Sequence, residues 1–205
     1  MDRQQKLPER GVIELRNRWK TPAGRHVQQE LLLALRKGND HWPELLADLP
    51  AVSYPLSPGD LDDLRGIELQ REILEGFELS CCDLSYSDLR HCDLSKASLQ
   101  RSRLNWAYLQ SSLFEKADLL NLEALYADFS SCKMRGVMMM SSNLRHSIFT
   151  QTEFTHCVLN GSDFTGTHLM PSAFKRNEFH NVTFPKDFNL KRYLRSPRPN
   201  SGPSL

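Results

Sequence analysis

Between Leu64 and Phe184 a large apolar residue returns at every fifth position without a slip. The 25 positions carry 14 Leu, 8 Phe, 2 Met and one small residue, Ala124. A helix repeats about every 3.6 residues and a simple strand every 2.0, so neither generates this period. A short, fixed self-similarity marks a repeat architecture instead. Two residues before each centre, from Cys82 to Val182, stands a second constrained position, and 19 of these 21 slots hold Ala, Cys, Ser, Thr or Val. A large and a small side chain both turned inward fit a narrow core filled without voids. Where the centre shrinks to Ala124, the slot before it grows to Leu122, which roughly keeps the buried volume.

The slot also accounts for the cysteines. Cys82, Cys92, Cys132 and Cys157 occupy it and read as small buried hydrophobes. No CxxC or HExxH spacing occurs, so neither a metal site nor a disulfide framework is expected.

The flanks do not follow the pentad. Residues 1–49 read as a helical cap or appendage. Val12, Leu15 and Trp19 make one stripe behind Pro8, and Val27, Leu31, Leu32 and Leu35 make a second between Thr21–Pro22 and Gly38. Trp42, Leu45, Leu46 and Leu49 suggest a third short turn, and the basic stretch Arg16 to Arg25 reads as a solvated helix face. Residues 50–61, with Pro50, Pro55, Pro58 and Gly59, read as a linker. The array is assigned to 62–186, and 187–205 to a capping turn and a disordered tail.

Units such as CDLSY, SDLRH, CDLSK, ADLLN and SDFTG resemble the A(D/N)Lxx pattern of pentapeptide repeat proteins. The resemblance implies an all-β solenoid: a right-handed quadrilateral β-helix of about six coils, here with a small α-helical N-terminal segment. Ile67, Glu72 and Phe77 depart from the pattern in the small slot, so the first coil is expected to be distorted or built as a cap meeting the helices.

With 20 residues per coil, positions 20 apart stack into columns. Tyr86, Trp106, Tyr126 and His146 form an aromatic corner, either a structural ladder or a binding strip. Leu120, Met138, Met140 and Val158 share a second, apolar face, which the N-terminal helices, a second copy or another protein would cover. Lys96, Lys116, His156 and Arg176, interrupted by Gly136, form a basic edge read as solvated.

The chain carries 26 basic and 25 acidic side chains, a formal charge of +1, so no global field points to nucleic acid or membrane. There is no GxGxxG, P-loop or GxSxG, and a packed core leaves little room for a pocket. No catalytic residue, cofactor or metal is expected. The expected function is that of a non-catalytic, cytoplasmic interaction module binding a protein partner, with a homodimer as one form. The alternative is a DNA-mimicking protector of DNA gyrase or another type II topoisomerase. That activity belongs to a strongly acidic subset of the family, whereas residues 61–186 hold 13 basic against 16 acidic side chains, a net of −3.

Overall fold

The computed structural model describes residues 6–54 and 61–189. Most of the expected linker (55–60) and the expected tail from 190 onward lie outside the described residues.

The N-terminal sequence folds as its stripes require. Helix α1 spans Glu9–Lys20 and helix α2 spans Pro22–Arg36. The Thr21 hydroxyl accepts the Gly24 N–H at 2.9 Å, which satisfies one orphan donor at the start of α2. Val27, Leu31, Leu32 and Leu35 are buried, as are Leu15 and Trp19. The third turn is a 3-10 helix, Trp42–Asp48. The basic stretch is not simply a solvated face. Arg18 is only 6% exposed and engages Asp63, because α1 docks this side of itself on the first coil.

From Asp62 onward each coil pairs in parallel with the next at a spacing of 20 residues: Asp63 with Asp83, Asp83 with Arg103, Arg103 with Glu123, and so on to Asp163 with Thr183. One pentad shows the wiring. The Leu104 N–H donates to the Glu123 carbonyl at 2.7 Å and the Trp106 N–H to the Leu125 carbonyl at 2.9 Å, while the Ala107 N–H closes a turn on the Leu104 carbonyl. From Gly66 to Gly166 the residue two after each centre takes a positive φ, as at Tyr86, Trp106, Tyr126 and His146 (56° to 62°). This conformation turns the chain at each corner and aims the corner side chain outward.

The recurring chemistry of the pentad is hydrogen bonding as well as size. In the small slot, the Ser112 hydroxyl donates to the Leu89 carbonyl at 2.6 Å and accepts the Cys92 N–H at 3.1 Å, stitching adjacent coils. Cysteines use the same acceptor: the Cys92, Cys132 and Cys157 thiols donate to the carbonyls of Leu69, Leu109 and Met134 at 2.8, 3.0 and 3.0 Å. Where an Asp precedes the centre it accepts the N–H two residues on, as Asp83 does from Ser85 and Asp128 from Ser130.

The first coil is not distorted. Glu68, Ile73 and Glu78 pair in register with the next coil, and the oversized slot residues serve the cap. Ile67 and Phe77 are buried in one hydrophobic cluster with Trp19, Leu31, Leu35 and Trp42, and Glu72 turns to Arg36 of α2 at 3.1 Å. Apolar side chains of the first coil and of the helices thus share one buried cluster.

Candidate interaction surfaces

The aromatic column is a continuous stack. Ring centroids lie 5.3 Å apart for Tyr86–Trp106, 5.5 Å for Trp106–Tyr126 and 4.9 Å for Tyr126–His146, with interplanar angles of 4° to 9°. Glycine ends it on both sides. A Cβ on Gly166 would lie 2.4 Å from His146 Nδ1, so the last ring folds over bare backbone. A Cβ on Gly66 would lie 2.9 to 3.0 Å from the Leu15 and Arg16 backbone, so α1 rests where a fifth ring would stand.

The column therefore has two characters. Tyr86 is buried: its hydroxyl accepts the Leu7 N–H at 2.8 Å and its carbonyl accepts the Arg16 guanidinium at 3.3 Å. Burial, above all, raises its phenol pKa. Here the ladder is structural. Tyr126 and His146, at the far end, are exposed. Because the rings stack face to face, they offer edges and polar tips to a ligand, with no face free to sandwich a base or a sugar.

Helix α1 and this corner border a groove of about 740 Å³ lined by Leu7, Ile13, Arg16, Trp106, Tyr126 and the face carrying Tyr108, Asp128 and Ile148. Ile13, Tyr108, Tyr126 and Ile148 are 50%, 41%, 47% and 44% exposed. Arg16 lies 5.1 Å from the Tyr108 ring centroid. Sequence reasoning omitted Tyr108, Ile148 and Ile13. Tyr108 and Ile148 are 40 residues apart, two coils on one column, and were legible had every register been stacked. The contribution of α1 had no local signal.

The apolar face is also assembled. Met138 pairs with Val158, and the Asn121 N–H bonds the Met140 carbonyl, setting Leu120 and Met140 side by side on adjacent coils. Met138 is 42% exposed, with Leu120, Met140 and Val158 partly buried. This face stands ten residues, half a coil, from the Tyr108–Ile148 face. The structure thus brings each expected set together and keeps the two sets apart. The N-terminal helices make their contacts with the first coil and the Tyr86–Tyr108 side, so Met138 is not under them.

The buried thiols are inert. Burial first of all pushes Cys92 and Cys132 up to about 12 and raises Cys82 and Cys157 as well, so these groups stay protonated and non-nucleophilic. Among the described residues, no cluster of His, Cys, Asp or Glu is placed to hold a metal ion, and no helix is long and apolar enough to cross a membrane.

The family description "Pentapeptide repeats (8 copies)" matches residues 78–115, and "Pentapeptide repeat region" matches residues 107–184. No curated protein matches the chain. Among solved structures, the pentapeptide repeat protein Rfr23 from the cyanobacterium Cyanothece 51142 is similar at 22% identity, covering 60% of this chain and 87% of that one with a TM-score of 0.41. HetL, a pentapeptide repeat protein involved in heterocyst differentiation regulation in Nostoc sp. strain PCC 7120, is 15% identical over 60% of this chain and 85% of its own, with a TM-score of 0.34. Full-length QnrB1, a plasmid-mediated fluoroquinolone resistance protein, is 17% identical over 64% and 82%, with a TM-score of 0.20. With the unbroken pentad, the in-register coils and family matches that together run from 78 to 184, the chain belongs to the pentapeptide repeat family.

Proposed function

We propose that this protein is a non-catalytic interaction module. A rigid, right-handed, four-sided β-helix of about six coils, capped by the helical segment from α1 to the 3-10 turn, presents the α1 groove and exposed ladder on one side and the apolar face on the other to a protein partner. The observation that carries this reading is the convergence of Ile13, Tyr108, Tyr126 and Ile148, all between 41% and 50% exposed, around one groove. Exposed aromatic and apolar side chains on a preorganised surface supply binding energy at low entropic cost.

The charge pattern supports protein contact over imitation of duplex DNA. Asp63, Asp88, Asp83, Glu123 and Asp163 each lie within 2.6 to 4.0 Å of an arginine nitrogen, so these five carboxylates are not part of a bare negative strip. A gyrase supercoiling assay with a quinolone should be unchanged by stoichiometric excess of the protein. The direct test is affinity capture from host extract, comparing wild type with Tyr108→Ser/Ile148→Ser and with Met138→Asp/Met140→Asp. Loss of specific partners by either variant, with the circular dichroism spectrum retained, is expected. Identical capture by all three proteins would sink the reading.

A further inference from the structure

The basic edge and the apolar face, separate columns in the sequence, adjoin in the fold. Gly136 belongs to the edge and Met138, two residues on, to the face. The Lys116 N–H bonds the Arg135 carbonyl and the His156 N–H bonds the Lys175 carbonyl, so successive coils add cations to the same corner. Lys116, Lys133, Arg135, Lys175 and Arg176 are all exposed, and none pairs with a carboxylate among the described residues. Lys96, on the same corner nearer the cap, differs: it is paired with Glu75 at 2.6 Å. On these columns Glu75 and Asp93 stand nearer the cap, and Glu115 and Glu153 are the carboxylates on the coils that carry the five cations, which outnumber them. Gly136 leaves a gap between Lys116 and His156, where an added Cβ would meet only Lys116 Cγ, at 3.4 Å. Beside it a cleft of about 340 Å³ is lined by Lys133, Arg135, Glu153 and His156.

The apolar strip is bounded along the solenoid axis. Its column reads Asp118, Met138, Val158, Glu178, with consecutive members bridged, so a carboxylate stands at each end of an apolar pair. At about 4.8 Å per coil the pair occupies roughly 10 Å, the length of two helical turns. A bilayer or a long nucleic acid would have to run its anionic surface over Asp118 and Glu178. Leu120, Met140 and Val158 are half sunk on this face, so Met138 is the one well-exposed apolar side chain of the four, too little to anchor in lipid.

We propose that this strip docks a short acidic–apolar peptide segment of a protein partner. Its apolar side chains would sit on Met138 and Val158, and its carboxylates would meet Lys116, Arg135 and Arg176. The proposal rests on the reading of the molecule as an interaction module and names the partner chemistry of one of its faces. Unpaired surface cations beside an apolar patch give both the steering and the desolvated contact that such a segment needs.

The test uses the full chain and a fluorescein-labelled amphipathic peptide with leucine on one face and glutamate on the other. The comparison probes are its leucine/lysine counterpart, polyglutamate of equal charge, and phosphatidylserine-containing vesicles. Binding of the leucine/glutamate peptide should be at least tenfold tighter than that of either comparison peptide, and should weaken with salt. Arg135→Gln/Arg176→Gln and Met138→Asp should each cost about tenfold or more with circular dichroism unchanged, while Tyr108→Ser/Ile148→Ser should not. Equal affinity for polyglutamate would mean a solvated cationic edge only, preferred vesicle binding would mean a membrane surface, and insensitivity to Met138→Asp would displace the site. Each of these overturns the proposal. The interaction-module reading would survive them if the groove variant still lost partners in the capture experiment, and would fall separately if it did not.

Discussion

Ser142 shows what the small inward slot does beyond being small. Its hydroxyl donates to the Leu119 carbonyl at 2.7 Å and accepts the Leu122 N–H at 3.2 Å, linking two coils inside the core. Ser142→Ala should therefore cost about 1 kcal/mol in denaturant unfolding. Ser142→Cys should cost less, because Cys92, Cys132 and Cys157 make the same thiol-to-carbonyl contact in their own slots. The thiols give a second reading of the same slot. Burial holds Cys92 and Cys132 near 12, whereas Cys81 sits outside the core, half exposed. Iodoacetamide at pH 8 should modify Cys81 in the folded protein and reach the other four only after unfolding, as mass spectrometry of tryptic peptides would show. Rapid modification of Cys92 in the native state would contradict the packing described.

At the scale of elements, the joint between α1 and the first coil is held by a cluster of side-chain hydrogen bonds. Arg18 donates to both carboxylate oxygens of Asp63 (2.9 and 3.0 Å) and to the Arg65 carbonyl, which also accepts the Trp19 indole N–H at 2.9 Å. Burial alone would raise the Asp63 pKa, but hydrogen bonds from Arg65 and Arg18 outweigh it and hold the group at about 2, against an ordinary 3.8. A depressed carboxylate pKa stabilises the fold fully above the unfolded value and loses that contribution as pH falls through the folded one. About 2 kcal/mol should thus disappear between roughly pH 4 and pH 2. Asp63→Asn should flatten this part of the pH–stability curve, and Arg18→Ala should cost about 3 kcal/mol at pH 7 by leaving Asp63 underpaired. This joint was only half legible in the sequence. The stripe ending in Trp19, the Thr21 cap and the need for a cover were visible, and so was the misfit of Ile67, Glu72 and Phe77. Nothing local distinguishes Arg18 from its neighbours Arg16 and Lys20. Its burial arises because Gly66, a corner without a side chain, lets the α1 backbone approach, a coincidence between residues 45 or more apart. The columns fared better, since a fixed 20-residue register makes remote neighbours computable from position alone. The groove beside α1 was missed because one wall of it obeys no register.

For the whole molecule, a stack of coils bonded only to their nearest neighbours behaves as a one-dimensional array, whose ends are its weak points. Here the N-terminal end is merged with α1 and α2 into one hydrophobic cluster that continues without a break from Trp19 and Leu31 through Leu64 and on to Phe174. The cap should accordingly set the stability of the first coils and matter little at the far end. Trp19→Ala removes a fully buried side chain and should cost about 3–5 kcal/mol at the joint. Hydrogen exchange read by mass spectrometry should show the loss as a gradient. Amides of residues 62–90 should exchange 10-fold or more faster than in wild type, while those of 140–164, held by their own coil-to-coil bonds and the Phe149–Phe154–Phe164 ring cluster, should change little. Uniform acceleration along the chain would mean that the coils unfold as a single unit and that the cap governs the whole rod. A gradient would show that each exposed face is held mainly by the few coils beneath it. In that case substitutions on the apolar face near Met138 can be read as changes in binding, free of any contribution from the distant cap.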